Sequence, residues 1–381
     1  MNAKKIKKIF LDLIIEDKTS PIAIPFIAIS LSLITASVFL LILGFNPVDA
    51  FRALLQASGF MAKDQYAVNQ GMLTDFTSFL GILAPMMLAT LGVIIAMRAG
   101  LFNIGISGQM LAAGFIATVL VGYTDLDSIA ARPLVMLIGA AAGASVGALI
   151  GFLKYKFNIH EVVSSIMLNH IIMYVTAFFI NRNFVDPFTR SSVTSSPESR
   201  LTITGYYLLG IQVTMPIGIL LAIVGVIVVK FILDKTVLGF EIKMIGMNRN
   251  CARYSGMNVN ALIMKSMTFS GAFAGLAGVT YYLGFFNTII TRNLADLGFN
   301  SIASSLLANL NPIGSIYSSI LITILENGSI YMSSATGAPR EIVTVVIGIM
   351  MVFSACGIYI RHVAKRASEK LNITMEQQKE G

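Results

Sequence analysis

Three patterns in this chain place chemically active side chains at suggestive spacings. Gly105-Ile106-Ser107-Gly108 holds a hydroxyl between glycines, and His170 lies in a later apolar run, where a general base for a serine nucleophile would stand. His160-Glu161 begins as the H-E-x-x-H of a zinc hydrolase, but Ser164 occupies the place of the second imidazole and the metal reading ends there. Glu326 and His170 are ionisable groups in apolar surroundings, the residue type through which an ion-coupled carrier works. The other polar groups of interest are neutral. Asn103, Ser107, Gln109, Asn169, Asn287 and Asn309 donate and accept hydrogen bonds without carrying charge, which suits a path for a neutral polyhydroxylated solute. Phe285, Phe286 and Phe299 offer faces on which a flat base would stack, or rings that anchor a helix at a membrane interface. A zwitterion or a phosphate would bring full charges to a lining with nothing to offset their desolvation. Nucleosides fit this reading first, pentoses or other simple sugars second. No G-x-x-x-x-G-K-[ST] run occurs, so the chain does not cradle ATP phosphates by that route.

The elements that must position these residues are membrane helices. Of 381 residues, 56% are hydrophobic and 12% charged, with mean hydropathy +0.79. That is too apolar for one soluble domain. Apolar runs lie at 21–44, 78–97, 101–122, 133–153, 162–180, 213–233, 264–286 and 341–360. Each is long enough to cross roughly 30 Å of hydrocarbon as a helix with its backbone groups paired internally. A further run at 299–331 is broken at Asn311-Pro312, which predicts a short or re-entrant segment followed by a full span. The fold class is therefore an all-α polytopic membrane protein with about ten transmembrane helices and both termini on one side. On that reading 19 of the 27 lysines and arginines share the side of the termini, which puts both termini in the cytoplasm. The net charge of +8 then reflects topology and membrane lipid, with no nucleic acid partner required.

Residues 1–20 carry Ile6, Ile9, Phe10, Leu13 and Ile14 on one helical face with lysines opposite, as an interfacial helix does. Residues 21–360 form the transmembrane domain, with extracellular loops at 45–77 and 181–212, a cytoplasmic loop at 234–263 and a basic cytoplasmic tail at 361–381. Cys251 falls in the cytoplasmic loop and Cys356 in the last span, so both are reduced bystanders.

The 234–263 loop is too structured for a linker. Gly246, Asn248, Ala252 and Gly256 punctuate a segment able to form one or two short helices, with Asn248 as an N-cap. Together with Thr236 and Gly239 before them, and the run from Ser270 to Gly278 after them, these residues closely resemble the coupling loop of permease subunits in ATP-binding-cassette (ABC) importers for nucleosides and simple sugars. NIGISGQ from Asn103 resembles that family's NIGxxGQ, with Ser107 where many members carry a carboxylate. His160 to Asn169 resembles its N-E-V-x-x-x-I-M-L-N, with histidine in place of the asparagine. Gly298, Phe299, Ile302, Ala303, Pro312 and Gly314 match a third segment, and the resemblance runs from residue 78 to 355.

The resemblance implies a transport subunit that performs no chemistry and holds no cofactor, with ATP and magnesium on a separate ATPase. Its implied partners are cytoplasmic ABC ATPase subunits, a second permease, identical or homologous, and an extracellular substrate-binding lipoprotein, all at a bacterial plasma membrane. Contact with the ATPase falls to Glu241, Gly246, Asn248, Arg249, Ala252, Arg253 and Gly256. The solute path falls to Asn103, Ser107, Gln109, Asn169, Asn287, Phe299 and Asn309, on the reading of a discontinuous helix through Gly100, Gly105 and Gly108. Three alternatives stand on the residues alone. The amides serve equally as glue between helices. Glu326 and His170 suit a secondary transporter, and Ser107 suits an intramembrane serine protease.

Overall fold

In hydrocarbon a backbone has no water to bond, so each apolar run must close its own hydrogen bonds as a helix. The computed structural model describes residues 20–357 apart from Leu209, with Tyr359 and 362–368. The interfacial helix expected before Ser20 and the tail beyond Ser368 lie outside the described residues. The helices are α1 Ser20–Ile42, α2 Pro47–Ala57, α3 Met72–Arg98, α4 Ile106–Ala117, α5 Ser128–Phe157, α6 Glu161–Phe179, α7 Ile217–Lys235, α8 Val237–Met247, α9 Arg249–Tyr254, α10 Val259–Val279, α11 Asp296–Leu307, α12 Gly314–Thr336 and α13 Glu341–Ala355. Short π-helical stretches prolong α4 to Gly122, α6 to Phe184 and α10 to Phe285. Among the described residues α1, α3, α5, α6, α7 and α10 are long and apolar enough to cross a membrane, and α4 and α13 are shorter apolar helices. Helix α12 has the length but carries serines, Thr323, Glu326 and Asn327.

The chain is not wholly α. Between α6 and α7 an antiparallel hairpin forms from β1 Thr202–Leu208 and β2 Ile211–Pro216, paired from Thr202↔Pro216 to Leu208↔Ile211. Its isoleucines, threonines and tyrosines favour a pleated strand. The apolar run expected to begin a span at 213 therefore starts as β2, and α7 begins only after Pro216. Strand β2 packs on α3. The loop read at 45–77 is also partly helical, since it contains α2, where Asn46 caps the first turn by accepting from the Val48 N–H at 3.0 Å.

Helix α3 is the axis of the bundle. Of its apolar window 89% is buried inside the protein, against 22–39% for α1, α5, α6 and α7, so α3 is solvated by its neighbours and the others turn a face outward. Those neighbours are α7, α10, α11 and α12. The closest pairing is α5 with α10, where Gly139, Gly143 and Gly147 meet Gly271 and Gly275. A Cβ on Gly143 would lie 2.6 Å from the Gly275 Cα, so only glycine lets the two backbones touch.

Two interruptions shape the site. Residues 99–105 separate α3 from α4, and residues 308–313 separate α11 from α12. The second coincides with the break expected at Asn311-Pro312, and Asn309 and Leu310 turn it with φ of 50° and 54°. The short α4 packs along α10 and the short α11 along α3, so each leans on a long helix from the other half of the chain.

Candidate functional site

A helix that begins inside a membrane bundle exposes orphan N–H groups with no water to take them. Helix α4 begins at Ile106, and Gly105 before it has no side chain with which to cap the first turn. Amides supply the missing acceptors. Asn103 Oδ1 accepts from the Gly105 N–H at 3.0 Å, and Asn169 Oδ1, from α6, accepts from the Gly108 N–H at 3.0 Å. Asn169 Nδ2 donates to the Ile104 carbonyl at 3.0 Å, while Asn103 Nδ2 donates to Gln109 Oε1 at 3.1 Å and to Ser270 Oγ, on α10, at 2.8 Å. Ser107 Oγ donates to the Ala295 carbonyl at 2.9 Å, joining the start of α4 to the residue that precedes α11.

Asn103, Ser107, Gln109 and Asn169 are thus brought together, all buried, but not onto an open path. Their hydrogen-bonding groups are engaged in closing the start of α4, the arrangement the glue alternative expects. The other three expected path residues are scattered around α11. Asn287 stands before it with φ 59°, its carbonyl accepting from the Ser195 N–H and its Oδ1 buried with no partner among the described residues. Phe299 lies on the exposed side of α11, and Asn309 is exposed in the break after it. His170 is exposed and forms no hydrogen bond with Ser107, whose hydroxyl is directed at Ala295, so no nucleophile–base pair exists among the described residues. His160 caps α6 through Nδ1, Glu161 pairs with Lys154, and no group of three metal-binding side chains occurs among the described residues.

The 234–263 segment forms a knob of two short helices. Thr236 Oγ1 accepts from the Gly239 N–H at 3.1 Å to cap α8, and Asn248 Oδ1 accepts from the N–H groups of Asn250 and Cys251 at 2.9 and 3.1 Å to cap α9. Gly256, at φ 81°, ends α9 in the left-handed region that glycine adopts freely. Ala252 is fully buried under the knob, Glu241 and Arg249 are half-buried, and Arg253 is exposed.

The knob is held against the turn that precedes α4. A side chain on Gly246 would collide with the Arg98 carbonyl and approach the Gly100 nitrogen to 3.1 Å. Arg249 Nη2 donates to the Gly100 carbonyl at 3.0 Å, and Arg98 Nε donates onward to the Leu310 carbonyl in the second break at 2.9 Å. A continuous chain of contacts therefore runs from the knob to both interruptions. Sequence reasoning missed the apolar outer surface of the knob. Met247 is 81% exposed and Tyr254 92% exposed, with Val237 and Phe240 also open. Large apolar groups standing free beside a charged rim mark a contact surface.

Residues 76–355 match the family described as branched-chain amino acid transport system / permease component. The chain is 31% identical to the nucleoside ABC transporter permease protein NupB of Lactococcus lactis, over 89% of this chain and 92% of that one. It is 32% identical to the guanosine ABC transporter permease protein NupP of Bacillus subtilis, over 93% of this chain and 98% of that one. It is also 25% identical to the glucose ABC transporter permease protein TsgB13 of Haloferax volcanii, over 86% of each. No solved structure matches the chain.

Proposed function

We infer that this chain, which belongs to the family of permease components of branched-chain amino acid transport systems, is the membrane-spanning subunit of an ATP-driven importer for nucleosides. It is a multi-pass membrane protein and a transport subunit, not an enzyme, and it works with an ATPase and a substrate-binding protein. The nucleoside reading rests on the near full-length likeness to permeases named for nucleosides and guanosine.

In this reading α8 and α9 face the cytoplasm with both chain ends, and α1, α3 to α7 and α10 to α13 cross the membrane. Hairpin β1–β2 and α2 then face outward, where an extracellular binding lipoprotein delivers the solute. A second permease, identical or homologous, completes the path. The carrying observation is the knob. Met247 and Tyr254 offer anchors to an ATPase, while Gly246 and Arg249 fix the knob to the backbone at Gly100. Closure of the ATPases on ATP shifts the knob as a rigid piece. The shift reaches α4 through the turn at 99–105, and the α11–α12 break through Arg98 and Leu310. Two interrupted helices tilt together and the path changes the face on which it opens. The ion-coupled carrier and the protease have no use for such a knob.

Uptake of labelled uridine, guanosine, ribose and leucine by cells with and without the gene tests this directly. Gene-dependent nucleoside uptake is expected, and gene-dependent uptake of leucine alone would overturn it.

A further inference from the structure

Helix α6 packs one face on α4 and α5 and leaves the other bare. On the packed side Asn169 holds the start of α4, and the Thr176 hydroxyl is bonded to the Ile172 carbonyl of its own helix. On the bare side Val163, Met167, His170, Tyr174 and Phe178 follow one another at steps of three or four residues, all exposed. Counted from Glu161, His170 is tenth in the 24 residues to Phe184 that are apolar enough to cross a membrane. It therefore lies roughly 14 Å from the Glu161 end, near the middle of roughly 30 Å of hydrocarbon. This is also the depth at which α4 begins, since a Cβ on Gly108 would lie 2.9 Å from the Cα of Asn169, the residue next to His170.

The bare face of α7 is made of Leu220, Ile223, Val224, Ile227, Val228 and Phe231, as contact with lipid requires. Where α1 and α5 expose a hydroxyl within the span, Thr35 and Ser145 turn it back to the Leu31 and Ala142 carbonyls, at 2.8 and 2.7 Å. His170 is different. His160 caps α6 through Nδ1 and stands 3.8 Å from Glu161, whereas His170 has no hydrogen-bond or ion-pair partner among the described residues. A neutral imidazole carries one donor and one acceptor, and turning both into hydrocarbon unmet is costly. In water both are met. The bare face of α6 therefore borders water at the depth where α4 is interrupted, and transporters with broken helices hold their solutes near that depth.

We propose that the His170 face of α6 is a wall of the solute path, with His170 bonding the ribose hydroxyls of a nucleoside in transit and the Tyr174 ring, one turn on, passing the base. The assignment rests on the nucleoside reading above. A hydroxyl donates and accepts, so it matches a neutral imidazole whichever nitrogen carries the proton. The exposed ring of Tyr174 offers a flat face for stacking. Both contacts are weak enough to exchange, as passage requires. Consecutive residues thus take separate roles: Asn169 fixes α4 behind the wall, and His170 meets the solute. A second permease packed directly on this face would bury His170 instead.

The test places a single thiol on the wall. In a Cys251→Ser, Cys356→Ser background, which removes both cysteines of the chain, His170→Cys is treated in the assembled transporter, in opened membranes, with a charged thiol reagent. Ile227→Cys, on the bare face of α7, is treated beside it. The thiolate is the reactive form, and each unit by which apolar surroundings raise a thiol lowers the thiolate about tenfold, so His170→Cys should label about tenfold faster or more. Uridine added to the working transporter should slow that labelling and leave Ile227→Cys unchanged. Tyr174→Cys gives the same comparison should His170→Cys fail to accumulate. With the native cysteines, His170→Leu should lower uridine uptake about two- to tenfold, the size of one lost neutral hydrogen bond, and His170→Gln, which keeps a donor and an acceptor, should restore most of it. Labelling at His170→Cys no faster than at Ile227→Cys would overturn the wall, leaving this face to lipid or to a second permease. Fast labelling that no transported solute slows would overturn the solute contact. Fast labelling slowed by another transported solute but not by uridine would uphold the wall and overturn the nucleoside reading.

Discussion

Replacing Asn169 with leucine separates a structural amide from a solute-binding one. In the wild type, Asn169 accepts from the Gly108 N–H and donates to the Ile104 carbonyl, each at 3.0 Å, and the residue is 3% exposed. Leucine branches at the same carbon, is larger and has no polar atom, so both backbone groups lose their partner in a dry site. A buried group left unpaired costs about 1–3 kcal/mol. Polar pairs between membrane helices are worth less, about 0.6 kcal/mol on average, because side chains find other partners in the membrane. The carbonyl four residues behind the Gly108 N–H is that of Ile104, the other group Asn169 holds, so the two recover a bond only if α4 extends its first turn backward. With the start of α4 held where it is, the unpaired-group figure applies, and the two losses together come to at most about 2–6 kcal/mol, against the about 5–15 kcal/mol that holds a domain folded. Asn169→Asp keeps the acceptor and loses the donor, so it should fall between leucine and wild type. Thermal unfolding of the purified protein in detergent should show a drop of several degrees for leucine and a smaller one for aspartate. A leucine variant with wild-type stability and a changed KM for solute would refute the capping role and return Asn169 to the path.

Three further outcomes follow from the same geometry. Gly143→Val should fail to accumulate, because its Cβ would sit 2.6 Å from the Gly275 Cα and N and force α5 and α10 apart, a strain of about 1–3 kcal/mol or more; wild-type amounts in the membrane would contradict the glycine contact. In a Cys356→Ser background, the exposed Cys251 should react with a charged thiol reagent only in opened or inverted membranes, and labelling of intact cells would reverse the proposed orientation. Arg253→Glu should abolish uptake without loss of insertion by placing the wrong charge at the ATPase contact, and full uptake by this variant would count against docking there.

The spans were legible because membrane helices depend on length and apolarity, which sequence carries directly. The break at Asn311-Pro312 was legible from the backbone limits of the residues there, and so was the Asn248 cap from its side chain. Hairpin β1–β2 was not, because Ile211 to Met215 is nearly as apolar as a span and the pairing that makes it a strand comes from Thr202 to Leu208. For the amides, residue type could be read but not partner: Asn169 meets Gly108 across 61 positions, and Asn103 meets Ser270 across 167. Met247 and Tyr254 read as ordinary apolar residues until α8 and α9 turn them outward. A signal for the contact of Ser304 on α11 with Ser318 and Ser319 on α12 was present. Ser315, Ser318, Ser319, Thr323 and Glu326 recur at helical spacing along α12, and such a stripe in a long membrane helix points to a polar neighbour.

ATP-driven uptake of labelled guanosine by the assembled transporter, with wild-type chain against Tyr254→Asp, tests most directly whether this is a nucleoside permease driven through its knob. Tyr254 is 92% exposed and makes no contribution to the core, so the variant should insert normally. A carboxylate in place of an aromatic anchor removes a contact of the kind worth about 2 kcal/mol or more at an interface. Uptake that depends on the wild-type chain and is lost with Tyr254→Asp is the expected result. Guanosine uptake equal in both, or absent from both while another solute is carried, would contradict it.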